Sequence, residues 1–321
     1  MHHRQNGLHF SEIPSPLYGF AEAFGGLSPS PSWGRAVGRF ALFLLMTAVL
    51  VPLYGLASPL GWRPRKALMR LWFKGACRLT ALDVRVTGVP WRGGPALMVA
   101  NHVSYLDVPV LGSLLDVVFV AKEDVATWPL FGFLARLVRT AFISRKPAEA
   151  QRQARHLGER LRRGESLLAF PEGTSTDGFA VRPFKTALFA VAEDGPALWV
   201  QPVSIAYPRA AAGKALTHGL ENHYAWYGEM TLLPHLFTVF GLEGAEVEVI
   251  FHEPVPAAGF ADRKALARYC REVVSQGVSM ATGRWHAALP VHTGVSAPAS
   301  PAIAGEDLDL DFDLLEPAAA S

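Results

Sequence analysis

The chain has 321 residues, of which 50% are apolar and 18% are charged, and its net charge is +2. This composition excludes a disordered protein, a coiled coil and a disulfide-rich secreted scaffold. The length allows one large domain or two small ones. The two cysteines, Cys77 and Cys270, lie far apart without the spacing of a metal site. Reduced thiols on the cytoplasmic side of a membrane are therefore expected.

Both ends of the chain differ in composition from its middle. Residues 1–36 are rich in glycine, proline and serine, which predicts a disordered lead. Residues 285–321 contain no lysine or arginine and end in an acidic and apolar stretch, which predicts a disordered acidic tail. Residues 305–321 carry six acidic groups, so the rest of the chain has a net charge of +8. Such a basic body favours anionic lipids and phosphate groups.

Residues 40–57 form an apolar run of 18 residues without a charge, which is near the ~20 residues needed to span a bilayer. The segment 37–82 is therefore predicted to be a membrane anchor. Basic residues are more numerous after the run than before it, so a single span would place the rest of the chain in the cytoplasm. Pro52 also permits a kinked or re-entrant hairpin that enters and leaves the same leaflet. A buried core helix is the third alternative.

Residues 64–82 are expected to form a helix with two different faces. Basic side chains recur every four positions and so follow one stripe, while apolar side chains occupy the other side. The stripe consists of Lys66, Arg70, Lys74 and Arg78. A basic amphipathic helix beside an apolar segment is typical of the membrane interface, and a solvated face on a core helix is the alternative.

Strand-like runs alternate with helix-like stretches between residues 83 and 284. The strand-like runs are 84–86, 96–100, 117–121, 141–144, 166–170, 199–206 and 247–252. The helix-like stretches are 108–115, 129–138, 148–163, 184–193 and 262–280. Strands separated by helices of this length predict an α/β domain with a mostly parallel central sheet flanked by helices.

The first cluster of polar residues, 101–107, follows the predicted strand 96–100 directly. The carboxyl ends of strands are where sites form in open α/β sheets. There the carboxylate of Asp107 can hold the imidazole of His102 through Nδ1–H and leave Nε2 as a base. The alternative is that Asp107 caps the helix starting at Val108 and that His102 is a packed loop residue.

The second cluster, 170–178, follows the predicted strand 166–170. Its glycines and hydroxyls predict a loop whose backbone N–H groups face an anion, and a simple turn is the alternative. Glu172 is interpreted as an acceptor for a hydroxyl or water, or as a bracket that holds the loop. Several basic residues are expected near the same edge of the sheet, namely Lys122, Arg139, Arg145, Lys146, Arg182 and Lys185.

Four blocks in order resemble the glycerolipid acyltransferase family, whose bacterial archetype is 1-acyl-sn-glycerol-3-phosphate acyltransferase. They are 101–107 (NHVSYLD), 142–145 (FISR), 170–174 (FPEGT) and 201–205 (QPVSI), and the resemblance covers about residues 66–254. It implies that His102 is the general base and that Asp107 orients it. It further implies that substrate is bound by Lys122, Arg145, Glu172, Gly173 and Thr174.

The third block departs from the family's usual pattern. Ser175 occupies a position where the family usually has an arginine associated with the acceptor phosphate. The stretches 173–178, 183–185 and 225–230 resemble a subset that includes lyso-ornithine lipid acyltransferases, whose acceptor carries no phosphate. Arg145, Arg182 and Lys185 can still serve a phosphate. Lysophosphatidic acid is therefore the first prediction for the acceptor, and lyso-ornithine lipid is the alternative.

The expected activity is direct transfer of a fatty acyl group from an acyl thioester to a lysolipid hydroxyl at a membrane. The sequence has no Gly-x-Ser-x-Gly elbow, Walker loop, Rossmann glycine pattern or metal-type cluster, so no cofactor or metal is predicted. Acyl-CoA or acyl carrier protein is the expected donor, with membrane lipids as partners and no nucleic acid. The expected location is the inner membrane, with the catalytic domain facing the cytoplasm.

Two other classes of protein stay open. A hydrolase would use His102 and Asp107 to activate water. A catalytically inactive membrane adaptor is the second, although the presence of His102, Asp107 and Glu172 argues against it.

Overall fold

The computed structural model describes residues 31–128, 130–144, 146–192, 198–211, 215–216 and 223–283. The first 30 residues of the predicted lead, the whole predicted tail and Arg145 lie outside the described residues.

The described part of the chain contains an eight-stranded sheet with the order β1-β7-β6-β2-β5-β3-β4, and β8 pairs with β6. The strands are β1 Leu82–Thr87, β2 Ala96–Ala100, β3 Val118–Lys122, β4 Ala141–Ile143, β5 Leu167–Ala169, β6 Trp199–Ala210, β7 Ala245–Phe251 and β8 Val255–Pro256. Only β7 and β8 run antiparallel to their neighbour β6, and the other described pairs are parallel. The predicted mostly parallel sheet is confirmed.

Helices cover both faces of this sheet. They are α1 Trp33–Leu56, α2 Trp62–Leu79, α3 Asp107–Leu114, α4 Phe131–Leu137, α5 Ala150–Arg162, α6 Leu232–Gly241 and α7 Arg263–Ala281. Apolar side chains of α2, α3 and α6 fill the core on one face, and those of α5 and α7 fill the core on the other. The predicted α/β domain flanked by helices is therefore present.

Two predicted helices differ from the observed structure, and one helix is absent from the prediction. The segment predicted as helix 184–193 contains a 3-10 helix, Thr186–Ala192. Phe189 and Val191 are both buried there, and residues two apart lie on nearly opposite sides of an α-helix at 100° per residue. The helix predicted at 129–138 is the shorter α4.

Helix α6 was missed because its apolar side chains are not interrupted by charges that would reveal a period.

Helices α1 and α2 form an antiparallel hairpin at the edge of the domain. The indole Nε1 of Trp72 donates to Thr47 Oγ1 at 2.9 Å, and the Arg65 guanidinium lies 4.3 Å from the centre of the Tyr54 ring. Helix α1 has 24 residues, contains Pro52 and is long and apolar enough to cross a membrane, yet only 17% of its most apolar window is buried. It is therefore not a buried core helix.

Helix α1 begins within the stretch assigned to the lead, because Ser32 caps it. Both of its ends are attached to the α/β domain. The backbone N–H of Ser32 donates to the Gly241 carbonyl at 3.0 Å, and the Tyr54 hydroxyl donates to the Leu137 carbonyl at 3.0 Å. Helix α1 consequently lies alongside the domain over its whole length.

Helix α2 has the two faces expected from its sequence. Phe73, Ala76 and Cys77 are buried against the domain. Arg70, Lys74 and Arg78 of the basic stripe are exposed, whereas Lys66 is half-buried and hydrogen-bonds to Asp116. The exposed basic stripe is therefore shorter than the sequence suggested.

Candidate active site

The predicted site residues lie at one edge of the sheet because the central strands are parallel. Strand β2 pairs with β5 on one side and with β6 on the other, and β5 pairs with β3. His102 follows the carboxyl end of β2 and Glu172 follows that of β5, while Lys122 ends β3. Parallel pairing thus brings segments that are distant in sequence to the same edge.

Asp107 is fully buried at the start of α3 and accepts four hydrogen bonds. Its Oδ2 atom accepts from His102 Nδ1 at 2.8 Å and from the backbone N–H groups of Val103 and Ser104 at 2.7 and 3.0 Å. The carboxylate therefore closes the loop that carries His102, and the alternative in which it caps the helix is wrong. Four donors compensate for the burial of its charge.

Tyr207 supplies the fourth donor, and the sequence analysis missed it. Its hydroxyl donates to Asp107 Oδ1 at 2.8 Å. Burial, together with the neighbouring carboxylate, holds the pKa of Tyr207 well above its usual value, so the hydroxyl keeps its proton. The sequence does contain a signal for this role, because Tyr207 directly follows the predicted strand 199–206, two residues beyond the fourth block. A buried tyrosine hydroxyl usually has a polar partner.

The His102 imidazole is oriented on two sides. Its Nδ1–H donates to Asp107, and its ring stacks on Phe170 with centroids 4.1 Å apart and planes at 17°. The side chain remains 21% exposed. Because Nδ1 carries the proton, Nε2 is the nitrogen that can accept one from a substrate. Phe170 therefore positions His102 as Asp107 does. The sequence analysis included Phe170 in the third block but gave it no role.

Glu172 connects the two polar segments through their backbones. Its Oε1 atom accepts from the His102 N–H and its Oε2 atom from the Arg182 N–H, both at 2.8 Å. The backbone N–H of Thr176 also donates to the His102 carbonyl at 2.9 Å. Both carboxylate oxygens therefore accept hydrogen bonds from the protein backbone. Of the two predicted roles, this arrangement matches the one in which Glu172 holds the loop in place.

Replacing Glu172 by glutamine is expected to remove a pH dependence from the stability of the protein. Burial raises the pKa of Glu172 from 4.5 to about 7. The folded state therefore binds this proton more tightly than the unfolded chain, and its contribution to stability declines as pH rises through about 7. The advantage of the wild type over Glu172→Gln should shrink by up to about 3 kcal/mol between pH 5 and 8.

The measurement is the denaturant midpoint of both proteins in detergent solution across that range. Parallel curves would contradict the expectation, because they would mean that Glu172 titrates equally in the folded and unfolded states.

The remaining predicted residues surround the second loop. Gly173 has φ +69°, and a Cβ placed there would lie 2.5 Å from Lys185 Nζ, so the lysine ammonium lies against this glycine. Thr174, Arg182 and Lys185 are exposed, and Lys122 is half-buried at the end of β3. The described residues contain no group of three or more His, Cys, Asp or Glu side chains that could hold a metal ion.

A buried carboxylate that orients an accessible imidazole, at the carboxyl edge of a mostly parallel sheet, is the arrangement expected of an α/β enzyme that uses general-base catalysis. The family model described as Acyltransferase matches residues 83–206, which include His102, Asp107 and Glu172. The solved structure of the 1-acyl-sn-glycerophosphate acyltransferase PlsC from Thermotoga maritima has the same fold, with a TM-score of 0.53 and 24% identity over 78% of this chain and 99% of that one.

Curated relatives specify the family further. The lyso-ornithine lipid O-acyltransferase of Rhizobium meliloti (strain 1021) is 38% identical over 74% of this chain and 83% of its own length. That of Pseudomonas aeruginosa is 39% identical over 65% and 78%. The 1-acyl-sn-glycerol-3-phosphate acyltransferase of Neisseria gonorrhoeae is 31% identical over 60% and 73%. The chain therefore belongs to this family of lipid O-acyltransferases, as its four blocks indicated.

Proposed function

We propose that this O-acyltransferase acylates the free hydroxyl of a lyso-ornithine lipid. The observation that carries the proposal is the higher identity to relatives named for that activity, 38–39% against 31% for the relative named for 1-acyl-sn-glycerol-3-phosphate. The order of the two acceptors predicted from the sequence is thereby reversed.

The second loop supports this choice of acceptor. Ser175 is buried, and it stands where an arginine associated with the acceptor phosphate would be expected. A short neutral side chain cannot form the bidentate hydrogen bonds that a guanidinium gives to a phosphate. Lysophosphatidic acid remains the second candidate, because Arg182 and Lys185 are exposed cations on the same loop.

In the proposed mechanism His102 acts as a general base. An alcohol is a poor nucleophile at neutral pH, so Nε2 takes its proton while the oxygen attacks the carbonyl carbon of an acyl thioester. The new C–O ester bond forms, the C–S bond breaks, and the protonated imidazole returns its proton to the departing thiolate. Asp107 stabilises the imidazolium in between. Acyl-CoA or acyl carrier protein is the proposed donor.

The enzyme is proposed to work at the inner membrane, with the catalytic domain facing the cytoplasm. The exposed apolar side chains of α1 and the basic stripe of α2 support membrane association. Because both ends of α1 are attached to the domain, the structure does not favour a span that leaves the domain behind.

The experiment that tests the proposed acceptor is a side-by-side acyl-transfer assay. Purified enzyme in mixed micelles receives lyso-ornithine lipid or lysophosphatidic acid with the same acyl chain, and kcat/KM is measured for each. We expect at least a tenfold preference for lyso-ornithine lipid. A preference for lysophosphatidic acid would restore the first sequence prediction, and thioester cleavage that needs no acceptor would indicate a hydrolase.

A further inference from the structure

Two helices of the catalytic domain expose large apolar side chains next to the hairpin. Phe133 of α4 is 52% exposed and Leu233 of α6 is 62% exposed. We propose that α4 and α6 contact the same anionic bilayer as α1, so that the lipid-docking surface includes part of the catalytic domain. We define this docking surface by Leu45 and Leu53 of α1 together with Phe133 and Leu233. It does not depend on which acceptor the enzyme uses.

Helix α6 continues the apolar surface of α1 near its amino-terminal half. The Phe237 ring lies 6.0 Å from the Phe40 ring, and the Phe240 ring lies 5.5 Å from the Phe43 ring. This packing buries one side of α6 against α1. Leu233 and Pro234 stay exposed on a helix that contains no charged residue. An uncharged outer surface is unusual for a helix facing water.

Helix α4 continues the same surface near the carboxyl-terminal half of α1. The Tyr54 hydroxyl donates to the Leu137 carbonyl at 3.0 Å. Leu134 and Leu137 also line a small apolar cavity shared with Leu50 of α1. Phe133 then projects from the first turn of α4 and is exposed. Apolar side chains are thus exposed on three adjoining helices, and contiguous exposed apolar side chains mark interaction sites.

The lack of acidic side chains in the helices of this surface points to an anionic lipid surface as the occupant. Helices α1, α2, α4 and α6 contain no aspartate or glutamate. Helices α5 and α7, which cover the other face of the sheet, are also net basic, but each contains one glutamate, Glu159 or Glu272. Exposed basic residues adjoin the apolar patch, and they are Arg63, Arg70, Lys74, Arg78 and Arg136. Apolar side chains bordered by lysine and arginine match the headgroup region of an anionic membrane.

A series of aromatic rings links the docking surface to the catalytic loop, which comprises residues 101–107. The Trp226 ring packs edge-on against Trp128, which precedes α4, and against Tyr105 of the catalytic loop, at 5.5 and 5.9 Å. The Tyr105 hydroxyl lies 2.9 Å from Nδ1 of His235 on α6. Tryptophan and tyrosine are enriched at membrane–water interfaces. The docking surface therefore ends next to the loop that carries His102.

Single surface cysteines test the proposal without disturbing the fold. The native Cys77 and Cys270 are both buried, so an introduced cysteine can be labelled selectively with an environment-sensitive fluorophore. The full-length variants are Phe133→Cys and Leu233→Cys. Vesicles contain equal amounts of phosphatidylcholine and phosphatidylglycerol. We expect a blue shift and a severalfold rise in emission at both positions when vesicles are added.

Two control positions make the outcomes distinguishable. Met280→Cys on α7 is the matched negative control, because Met280 is 54% exposed on the helix that covers the opposite face of the sheet. Leu45→Cys on α1 is the positive control. A response at position 45, with positions 133 and 233 behaving like 280, would overturn the inference while α1 still binds membranes. No response at position 45 would refute membrane association as well.

Charge substitution gives a second measurement. We expect Phe133→Asp and Leu233→Asp each to raise the lipid concentration needed for half-maximal vesicle binding about tenfold, and Met280→Asp to leave it unchanged. Thermal unfolding midpoints show whether each variant is folded. Folded variants that bind vesicles like the wild type would overturn the inference.

Discussion

Replacing His102 by alanine is expected to lower kcat for acyl transfer by about 10²–10⁴-fold, which is the usual contribution of a general base. The imidazole is the accessible member of the His102–Asp107 pair, and its Nε2 atom is the only proton acceptor that this pair offers to a substrate. The measurement is single-turnover acyl transfer in mixed micelles with saturating acceptor, so that a change in binding does not obscure the chemical step.

His156→Ala is the matched control, because His156 is exposed on α5 and far from the catalytic loop in sequence. It should retain wild-type kcat. An alanine variant of His102 that is folded and retains near-normal transfer would refute the general-base assignment. The same result would leave the choice of acceptor untouched, because that choice is tested separately.

Replacing Asp107 by asparagine is expected to reduce kcat by about 10²–10³-fold while the protein stays folded, because the imidazolium loses the charge that stabilises it. The asparagine oxygen can still accept from His102 and from the two backbone N–H groups. Its NH₂ group would then face the Tyr207 hydroxyl, which can rotate and accept a hydrogen bond instead of donating one. The geometry is preserved and the charge is removed.

Tyr207→Phe is the companion variant, because it keeps the charge of Asp107 and removes one of its donors. Leaving a buried carboxylate oxygen without that donor should cost about 1–3 kcal/mol of stability. We expect kcat to fall by no more than about tenfold, since the other three bonds to Asp107 persist. If Asp107→Asn lost stability but kept its activity, Asp107 would be a purely structural residue.

Much of the α/β domain could be predicted from local pattern. Strand β2 was predicted with its observed bounds, because five buried apolar residues followed by a polar loop leave little choice. Helix α7 was predicted within one residue at each end, since Asp262 caps it. Helix α6 was not predicted, and the 3-10 helix at Thr186–Ala192 was predicted as an α-helix. Both segments are uniformly apolar, so their sequences show no helical period.

The candidate site likewise contains contacts that local sequence predicts and contacts that only the tertiary structure reveals. His102 and Asp107 are five residues apart, so a local hydrogen bond was foreseeable from the sequence. Tyr207 lies 100 positions from Asp107 and reaches it only because β6 pairs in parallel with β2. The role of Glu172 also needed coordinates, because a carboxylate that accepts two backbone N–H groups looks the same in sequence as one that binds substrate.

The low charged fraction of the chain agrees with its long apolar helix α1 and its buried core. By itself the sequence determined the α/β class, the apolar helix, the basic stripe and the pairing of His102 with Asp107, because each depends on residues close together in the chain. Only the tertiary structure decided that α1 lies along the domain and that α4 and α6 extend its exposed apolar surface. It also decided that Tyr207, Phe170 and Glu172 surround the His102–Asp107 pair. Those arrangements depend on strand order and helix packing, which bring distant segments together and which no local pattern encodes.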